Sequence, residues 1–404
     1  MEVRICQTVD ELRNASAAIV HYFGREQPSV EWSERWLNNF ELDRMHAAID
    51  DGAIVGGAGA FSFRMTVPGG AAAPTAGVTV VGVLPTHRRQ GILRSMMRAQ
   101  LDDIRARGEP LAALWASEET IYGRYGYGLA SLALQFDVDK SFNAFRPGIE
   151  TVGVPRLVDA ATAAKLMPPV YDAVQAVTPG MYERSPAWWE NRVLIDLEGY
   201  RGGGGPKHYV VVDVDGETEA YATYRLNVTF GDLGPETTLR VLEVVAANPA
   251  ATASIWRFLL DVDWTKKIST LLQPVDHPLV LLLARPNYSK PTLSDGLWVR
   301  LVDVGAALSA RTYASEDAVV FEVRDEFGPW NEGRWRIEKG RAERTDAAAD
   351  LALDVADLGT VYLGGFTFRD LRRAGRVEEL RDGAVYLADS IFRTDGAPWC
   401  PEIF

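Results

Sequence analysis

Along this chain the apolar residues switch between the period of a helix and the period of a strand. Thr8-Val9-Asp10-Glu11 has the form of a capping box and predicts a helix running to about Phe23. A second helix is expected after Ser33, with Trp36, Leu37 and Phe40 on one face. Residues 45–50, the Asp51-Gly52 turn and residues 53–67 predict a hairpin. Its second arm carries Gly56, Gly57 and Gly59, which mark either a bulge or a closely approaching ligand. Residues 68–77 read as a small-residue loop. Val78, Val80, Val81, Val83 and Leu84 then form a β-branched run that stops at Pro85. Beyond a polar turn, Ile92, Leu93, Met96, Met97, Leu101 and Ile104 recur at helical spacing, and Gly108 closes that helix. Residues 111–116 read as a buried strand. Residues 131–139 alternate, with Leu132, Leu134, Phe136 and Val138 on one face.

The second third repeats this order. Residues 159–177 and 185–197 predict helices, 209–214 and 217–226 a hairpin around Asp215-Gly216, 238–246 a strand and 250–262 a helix. The turn equivalent to the polar one is Ala247-Asn248-Pro249, without glycine or arginine. The repeat therefore reads as a tandem duplication whose second copy has lost a functional loop. From about residue 291 the pattern changes. A helix near 303–310, strands near 318–324, 334–339 and 351–355, and helices near 356–362 and 368–374 predict a separate domain. The expected fold class is α/β, with mixed sheets flanked by helices. The sequence closes on Trp399, Cys400, Pro401, Glu402, Ile403 and Phe404, an apolar tail that predicts docking rather than fraying.

Composition narrows the function. The 404 residues are 47% hydrophobic, as expected for a chain that builds proper cores, and the formal net charge is −13. That charge argues against nucleic acid and suits a cationic small molecule. Cys6 and Cys400 are the only cysteines, so no disulfide framework is expected and the reducing cytoplasm is the default. Neither a signal peptide nor a membrane span is expected. The five histidines lack ligand spacing, so no metal is expected; His87 reads as incidental, and Gly202–Gly205 as a loop tip. P-loop, nucleophile-elbow, zincin and Cys-x-x-Cys patterns do not occur.

The chemistry concentrates between the third strand and its helix, in Arg88-Arg89-Gln90-Gly91-Ile92-Leu93. Helix-start N–H groups, a glycine and two arginines make a site for a pyrophosphate. The dipole alone supplies roughly 0.3–1 kcal/mol, so the arginines and several N–H bonds must provide the rest. The next strand ends at Ser117-Glu118 and is followed by Tyr122, Tyr125 and Tyr127. Acyl transfer to an amine needs a held donor, a base for an ammonium of pKa near 10, and an acid for the leaving thiolate. A tyrosine hydroxyl can be that acid. Each of the three tyrosines remains equally readable as packing.

The loop resembles the acyl-CoA loop of the GNAT superfamily, Arg/Gln-x-x-Gly-x-Gly/Ala, except that Leu93 holds the last position. VGVLPTHRRQGILR together with ASEETIYGRYGYG resembles the Eis (enhanced intracellular survival) family of bacterial acetyltransferases. The resemblance implies an N-terminal GNAT domain over 1–150, a degenerate central GNAT domain over 151–290 and a sterol-carrier-like domain over 291–404. It implies acetyl-CoA as co-substrate, N-acetylation of amines, notably aminoglycosides, and a homohexamer. Val81, Gly82 and Val83 would hold the acyl-pantetheine arm. Arg88, Arg89, Gln90, Gly91, Ile92, Leu93 and Arg94 would wrap the pyrophosphate, with Ser117 and Glu118 nearby. Tyr122 would be the general acid and the terminal carboxylate of Phe404 the general base. For the acceptor pocket the candidates are Phe23, Glu26, Trp32, Trp36 and Glu402. Two other readings stay open: a protein lysine as acceptor, and a non-catalytic protein that binds acyl-CoA or lipid.

Overall fold

Apolar periodicity becomes packing in a computed structural model that describes residues 1–232 and 234–404. The chain divides into two units. The first comprises residues 1–131, 296–398 and 403–404, and the second residues 132–295 and 399–402. The chain thus enters the second unit at Leu132, ahead of the boundary expected at 150, and leaves it at Gly296, past the one expected at 290.

In the first unit, strands β1 (Glu2–Ile5), β2 (Met45–Asp50), β3 (Ala53–Thr66) and β4 (Ala72–Val83) pair antiparallel in sequence order. Strand β5 (Leu111–Trp115) joins β4 in parallel. Strand Leu297–Leu301 follows β5 and is flanked by β6 (Gly128–Leu129). Helix α1 (Val9–Tyr22) turns Leu12, Ala15, Ser16 and Ala18 inward. Its Ala15 carbonyl would lie 2.3 Å from a Cβ on Gly57, so that glycine admits a helix backbone, and the β3–β4 register shifts between Gly57 and Gly59. Helix α2 (Val30–Trp36) starts earlier than expected, because Ser29 rather than Ser33 caps it, accepting from the Trp32 amide at 3.1 Å. Helix α3 (Ile92–Ala106) covers the sheet with Met96, Met97, Leu101 and Ile104, all buried.

The expected loop over 68–77 is a correction. Strand β4 already begins at Ala72 and pairs with β3 from Thr66↔Ala72 onward, so small-residue composition concealed a paired strand. Residues 304–398 build a five-stranded sheet. In spatial order its strands are Arg341–Arg344, Gly333–Glu338, Val319–Arg324, Leu351–Asp354 and Val377–Glu379. It carries a further helix, Ala384–Phe392, beyond those expected from the pattern.

The second unit repeats the first sheet's plan. Its order is Thr292–Asp295, Leu132–Asp139, Thr265–Gln273, Thr237–Ala246, Glu217–Asn227, His208–Val214 and Val154–Val158. Strand Leu132–Asp139 therefore belongs here and not to the N-terminal sheet. The helix expected over 185–197 is a short turn, Pro186–Trp188, continued by a π-helical stretch, Trp189–Leu194. Helix Pro249–Asp261 packs its apolar face, including Trp256 and Leu259, into a core with Phe136, Val210 and Tyr224.

Candidate active site

Strands β4 and β5 are neighbours only from Thr75↔Leu111 to Gly77↔Ala113. Beyond Gly77 they part, and the edge of β4 from Val78 onward has no β5 partner. The separation begins beside an irregularity in the β3–β4 register between Gly57 and Gly59. Val80 there has φ of 54°, a backbone region that a β-branched residue rarely occupies. The result is a fork with Val81, Gly82 and Val83 on one arm. Gly82 has a second duty, since a Cβ would sit 2.9 Å from the Ile19 amide nitrogen of α1. The Val83 carbonyl accepts from the Tyr22 hydroxyl at 3.0 Å.

The polar turn follows directly. Arg89 and Gly91 both have positive φ, 63° and 81°, with Gly91 as the N-cap of α3. No side chain caps this helix, so its first-turn amides face outward without a side-chain acceptor. Arg88, Arg89, Gln90, Gly91 and Arg94 are exposed, and a Cβ on Gly91 would meet nothing within 4 Å. Alternating left-handed residues, free helix amides and cations form a nest for a phosphate-rich group. Ile92 is buried, and Leu93 packs against the core that holds Val78 and Tyr122. Leu93 thus serves the core at the one position that departs from the expected loop pattern. Ser117 and Glu118 lie just past β5, ahead of the single turn α4 (Glu119–Tyr122).

All three tyrosines are buried in one core. Tyr122 packs edge-on to Tyr127, with ring centroids 6.0 Å apart, and its hydroxyl makes no hydrogen bond among the described residues. Burial, then the neighbouring Tyr125 and Glu118, pushes its pKa up to about 12. Tyr125 lies against Phe327 at 4.9 Å, and Tyr127 is fully buried.

At the other side of the fork stands Phe404. Its ring meets Phe63 at 5.0 Å and would touch a Cβ on Gly77, the last β4 residue paired with β5. Phe63 stacks on Phe61 at 5.3 Å, Phe61 meets Phe40 at 5.3 Å, Phe40 stacks on Trp36 at 4.2 Å, and Trp36 on Trp32 at 6.0 Å. A continuous aromatic row therefore runs from α2 to the final residue. It contains Trp32 and Trp36, both expected near the acceptor, and adds Phe40, Phe61 and Phe63, which were not. The alternation of Phe61 and Phe63 on one strand face was the available signal. Phe23 and Glu26 are exposed beyond the end of α1 and do not join the row.

Glu402 is a correction. It lies in the second unit, where Arg184, Trp188 and Tyr182 donate to it at 3.1, 2.9 and 3.0 Å and Arg192 pairs with it at 3.6 Å. Burial alone would raise its pKa, but Arg184 and Arg192 outweigh it and hold the carboxyl below its usual range. Its charge is taken up by guanidinium groups of the second unit. Among the described residues no group of three or more His, Cys, Asp or Glu could hold a metal ion, and no helix is long and apolar enough to cross a membrane.

A forked mixed sheet, a basic loop opening a helix at the fork and a buried tyrosine past the next strand define an N-acetyltransferase of the GNAT class. The acetyltransferase (GNAT) domain pattern matches residues 6–130 and, in a second form, residues 180–301, while the sterol carrier protein domain matches 304–401. The chain belongs to the Eis family of these enzymes. It is 34% identical to N-acetyltransferase Eis of Mycobacterium tuberculosis over 398 residues, covering 94% of this chain and 93% of that protein. An uncharacterized N-acetyltransferase of Streptomyces avermitilis is 45% identical over 96% of this chain and 95% of its own. The crystal structure of Eis1 from Mycobacterium abscessus superposes with a TM-score of 0.85 at 34% identity, covering all of both chains.

Proposed function

We propose that this N-acetyltransferase carries an acetyl group from acetyl-CoA directly to an amine of a small polycationic acceptor of the aminoglycoside kind. The carrying observation is the pairing of Tyr122 and Phe404 with the same strand at the fork. Phe404 lies against Gly77, and Tyr122 shares a core with Val78. Acetyl-CoA fits the residues present. An uncapped helix start with Arg88, Arg89 and Arg94 suits the pyrophosphate, and the free β4 edge at 81–83 suits an amide-bearing arm.

In this reading Tyr122, neutral at physiological pH, gives its proton to the departing thiolate. The α-carboxylate of Phe404 takes the proton of the ammonium, and each such role contributes about 10²–10⁴-fold. An ordinary α-carboxyl has a pKa near 3.5 and is a poor base, so burial or a water relay would have to help it. The half-buried ends of the aromatic row, Trp32 and Phe404, supply rings that attract a cation, and the net charge of −13 favours cation approach. We place the reaction in the cytoplasm, where acetyl-CoA is available, and the assembly as a homohexamer, which light scattering would test.

The test is thiol release from acetyl-CoA by untagged protein with aminoglycosides, polyamines and lysine peptides. Release dependent on aminoglycosides is the expected outcome. Release with peptides alone would move the acceptor to protein lysine. Binding of acetyl-CoA without release across the panel would refute the proposed acceptor class.

A further inference from the structure

The turn that carries Tyr122 is not held by its own sheet alone. Between Gly123 and Gly126 the chain makes a tight turn, and Gly126 has φ of 80°. A Cβ on Gly126 would lie 1.4 Å from Arg300 Nη1, so the glycine lets a guanidinium approach the turn's backbone. Arg300 comes from strand Leu297–Leu301 and is fully buried. Its Nη1 donates to the Tyr125 carbonyl at 2.7 Å, and its Nη2 donates to both oxygens of Asp325, at 2.7 and 3.0 Å.

Asp325 is 1% exposed and lies within the residues matched by the sterol carrier domain. Its carboxylate also accepts from the Gly328 amide at 2.7 Å and from Asn331 Nδ2 at 2.9 Å. One buried carboxylate thus fixes a loop of the third domain and a guanidinium at once. The same loop lays Phe327 edge-on to Tyr125 and beneath Arg98, 4.0 Å away.

A buried ion pair is weak evidence for stability, since apolar substitutes often serve as well. What a planar guanidinium fork supplies is direction. Held by Asp325 on one arm, Arg300 presents the other arm to a single carbonyl, three residues beyond Tyr122. A misplacement of about 1 Å in a reacting group costs on the order of 10²-fold in rate. We propose that Arg300 and Asp325 are positioning residues for acyl transfer, through which the third domain sets the place of the Tyr122 hydroxyl. This inference rests on Tyr122 being the acid.

The experiment uses the full chain with two substitutions. Arg300→Lys keeps the charge but replaces a two-armed donor with one nitrogen, which cannot serve carbonyl and carboxylate in the same way. Asp325→Asn keeps the shape and removes the charge. Both should fold and lower kcat by about 10- to 100-fold, with KM for acetyl-CoA changed less than about twofold. Adding Asp325→Asn to Tyr122→Phe should give no further loss, because the two act as a unit. Folded variants with wild-type kcat, or a loss that multiplies with Tyr122→Phe, would overturn the proposal. If Tyr122→Phe is itself fully active, the role of Tyr122 is what fails. Should the charge variants not fold, Phe327→Leu decides, since it leaves no buried charge unpaired. A several-fold drop in kcat supports the proposal, and an unchanged kcat sinks it.

Discussion

At the scale of the residue, the acid role proposed for Tyr122 rests on its place in the segment Ile121-Tyr122-Gly123-Arg124. Three tyrosines follow β5 within six residues, and the sequence offered no way to choose between them by spacing. The structure adds their surroundings: Tyr125 lies against Phe327 and its carbonyl accepts from Arg300, while Tyr122 and Tyr127 meet edge-on in the same core. The raised pKa of Tyr122 keeps the proton in place. A general acid fails when it ionises, so a folded-state value near 12 predicts no loss of kcat from this group between about pH 8 and 10. A fall centred near pH 10 that disappears in Tyr122→Phe would keep Tyr122 as the acid and overturn its raised pKa, whereas a fall that persists in Tyr122→Phe belongs to another group. The same substitution should lower kcat by about 10²–10⁴-fold at neutral pH, with acetyl-CoA affinity retained by calorimetry. The linkage to stability has a definite sign. Burial raises the pKa of Tyr122 from 10 and of Cys6 from 9, each to about 12. Their stabilising preference for the neutral form is intact below about pH 9 and is lost as pH climbs toward 12, each tenfold change in an acidity constant being worth about 1.4 kcal/mol. Thermal melts at about pH 8 and pH 11 should show a lower melting temperature at the higher pH.

At the scale of the element, the fork and its loop show what local pattern can and cannot reveal. The helical spacing of Ile92 to Ile104 and the β-branched run before it were legible because apolar periodicity follows directly from burial on one face. The bulge was legible as one of two readings of Gly56, Gly57 and Gly59, but the strained residue opposite them was not, because Val80 at φ 54° runs against the preference of a β-branched residue. Residues 72–77 read as loop because Ala, Pro and Gly say little about pairing that is settled by β3. Helix α2 escapes exact placement because Ser29 and Ser33 are both plausible caps, and only the first accepts from a helix amide through its side chain. Gly91 allows a clean test of the loop. At φ 81° an added methyl meets open space, so Gly91→Ala carries only backbone strain, about 1–2 kcal/mol. Gly108, at the other end of α3, has φ 74° and equally open surroundings. Both alanine variants should lose similar stability by chemical denaturation. Gly91→Ala alone should raise KM for acetyl-CoA several-fold with little change in kcat. Equal KM values for the two variants would remove the loop from cofactor binding.

At the scale of the molecule, the chain holds two copies of one sheet plan, and only the first has arginines and a glycine in the turn before its following helix. In the second copy, strands Thr237–Ala246 and Thr265–Gln273 pair only as far as Val241↔Thr270, so a fork exists there too. Its following helix is capped by Asn248, which accepts from the Ala251 amide at 2.9 Å, and begins with Pro249, which has no amide hydrogen to offer. Glu243, on the arm that outruns its partner, is tied by Arg184 and by the Tyr221 hydroxyl at 2.7 Å. The lost loop was readable from Ala247-Asn248-Pro249. The filling was not, because Arg184 and Glu402 are 218 residues apart and no local pattern pairs them. The tail was legible in kind, as an apolar segment that docks: Trp399 donates its amide to the Pro179 carbonyl at 2.8 Å within the second unit, and Phe404 rests on Phe63 within the first. That difference between residues 402 and 404 carries the last prediction. If the carboxylate of Phe404 is the base, then adding even a Gly-Ser extension converts it to a neutral amide and moves the charge away from the fork. Turnover should fall by about 10²-fold or more, with acetyl-CoA binding and melting temperature little altered, since the ring and the anchored residues 399–402 are unchanged. Phe404→Leu without an extension keeps the carboxylate and should retain far more activity than the extended protein. An extended protein as active as the unextended one would take the base away from the terminus.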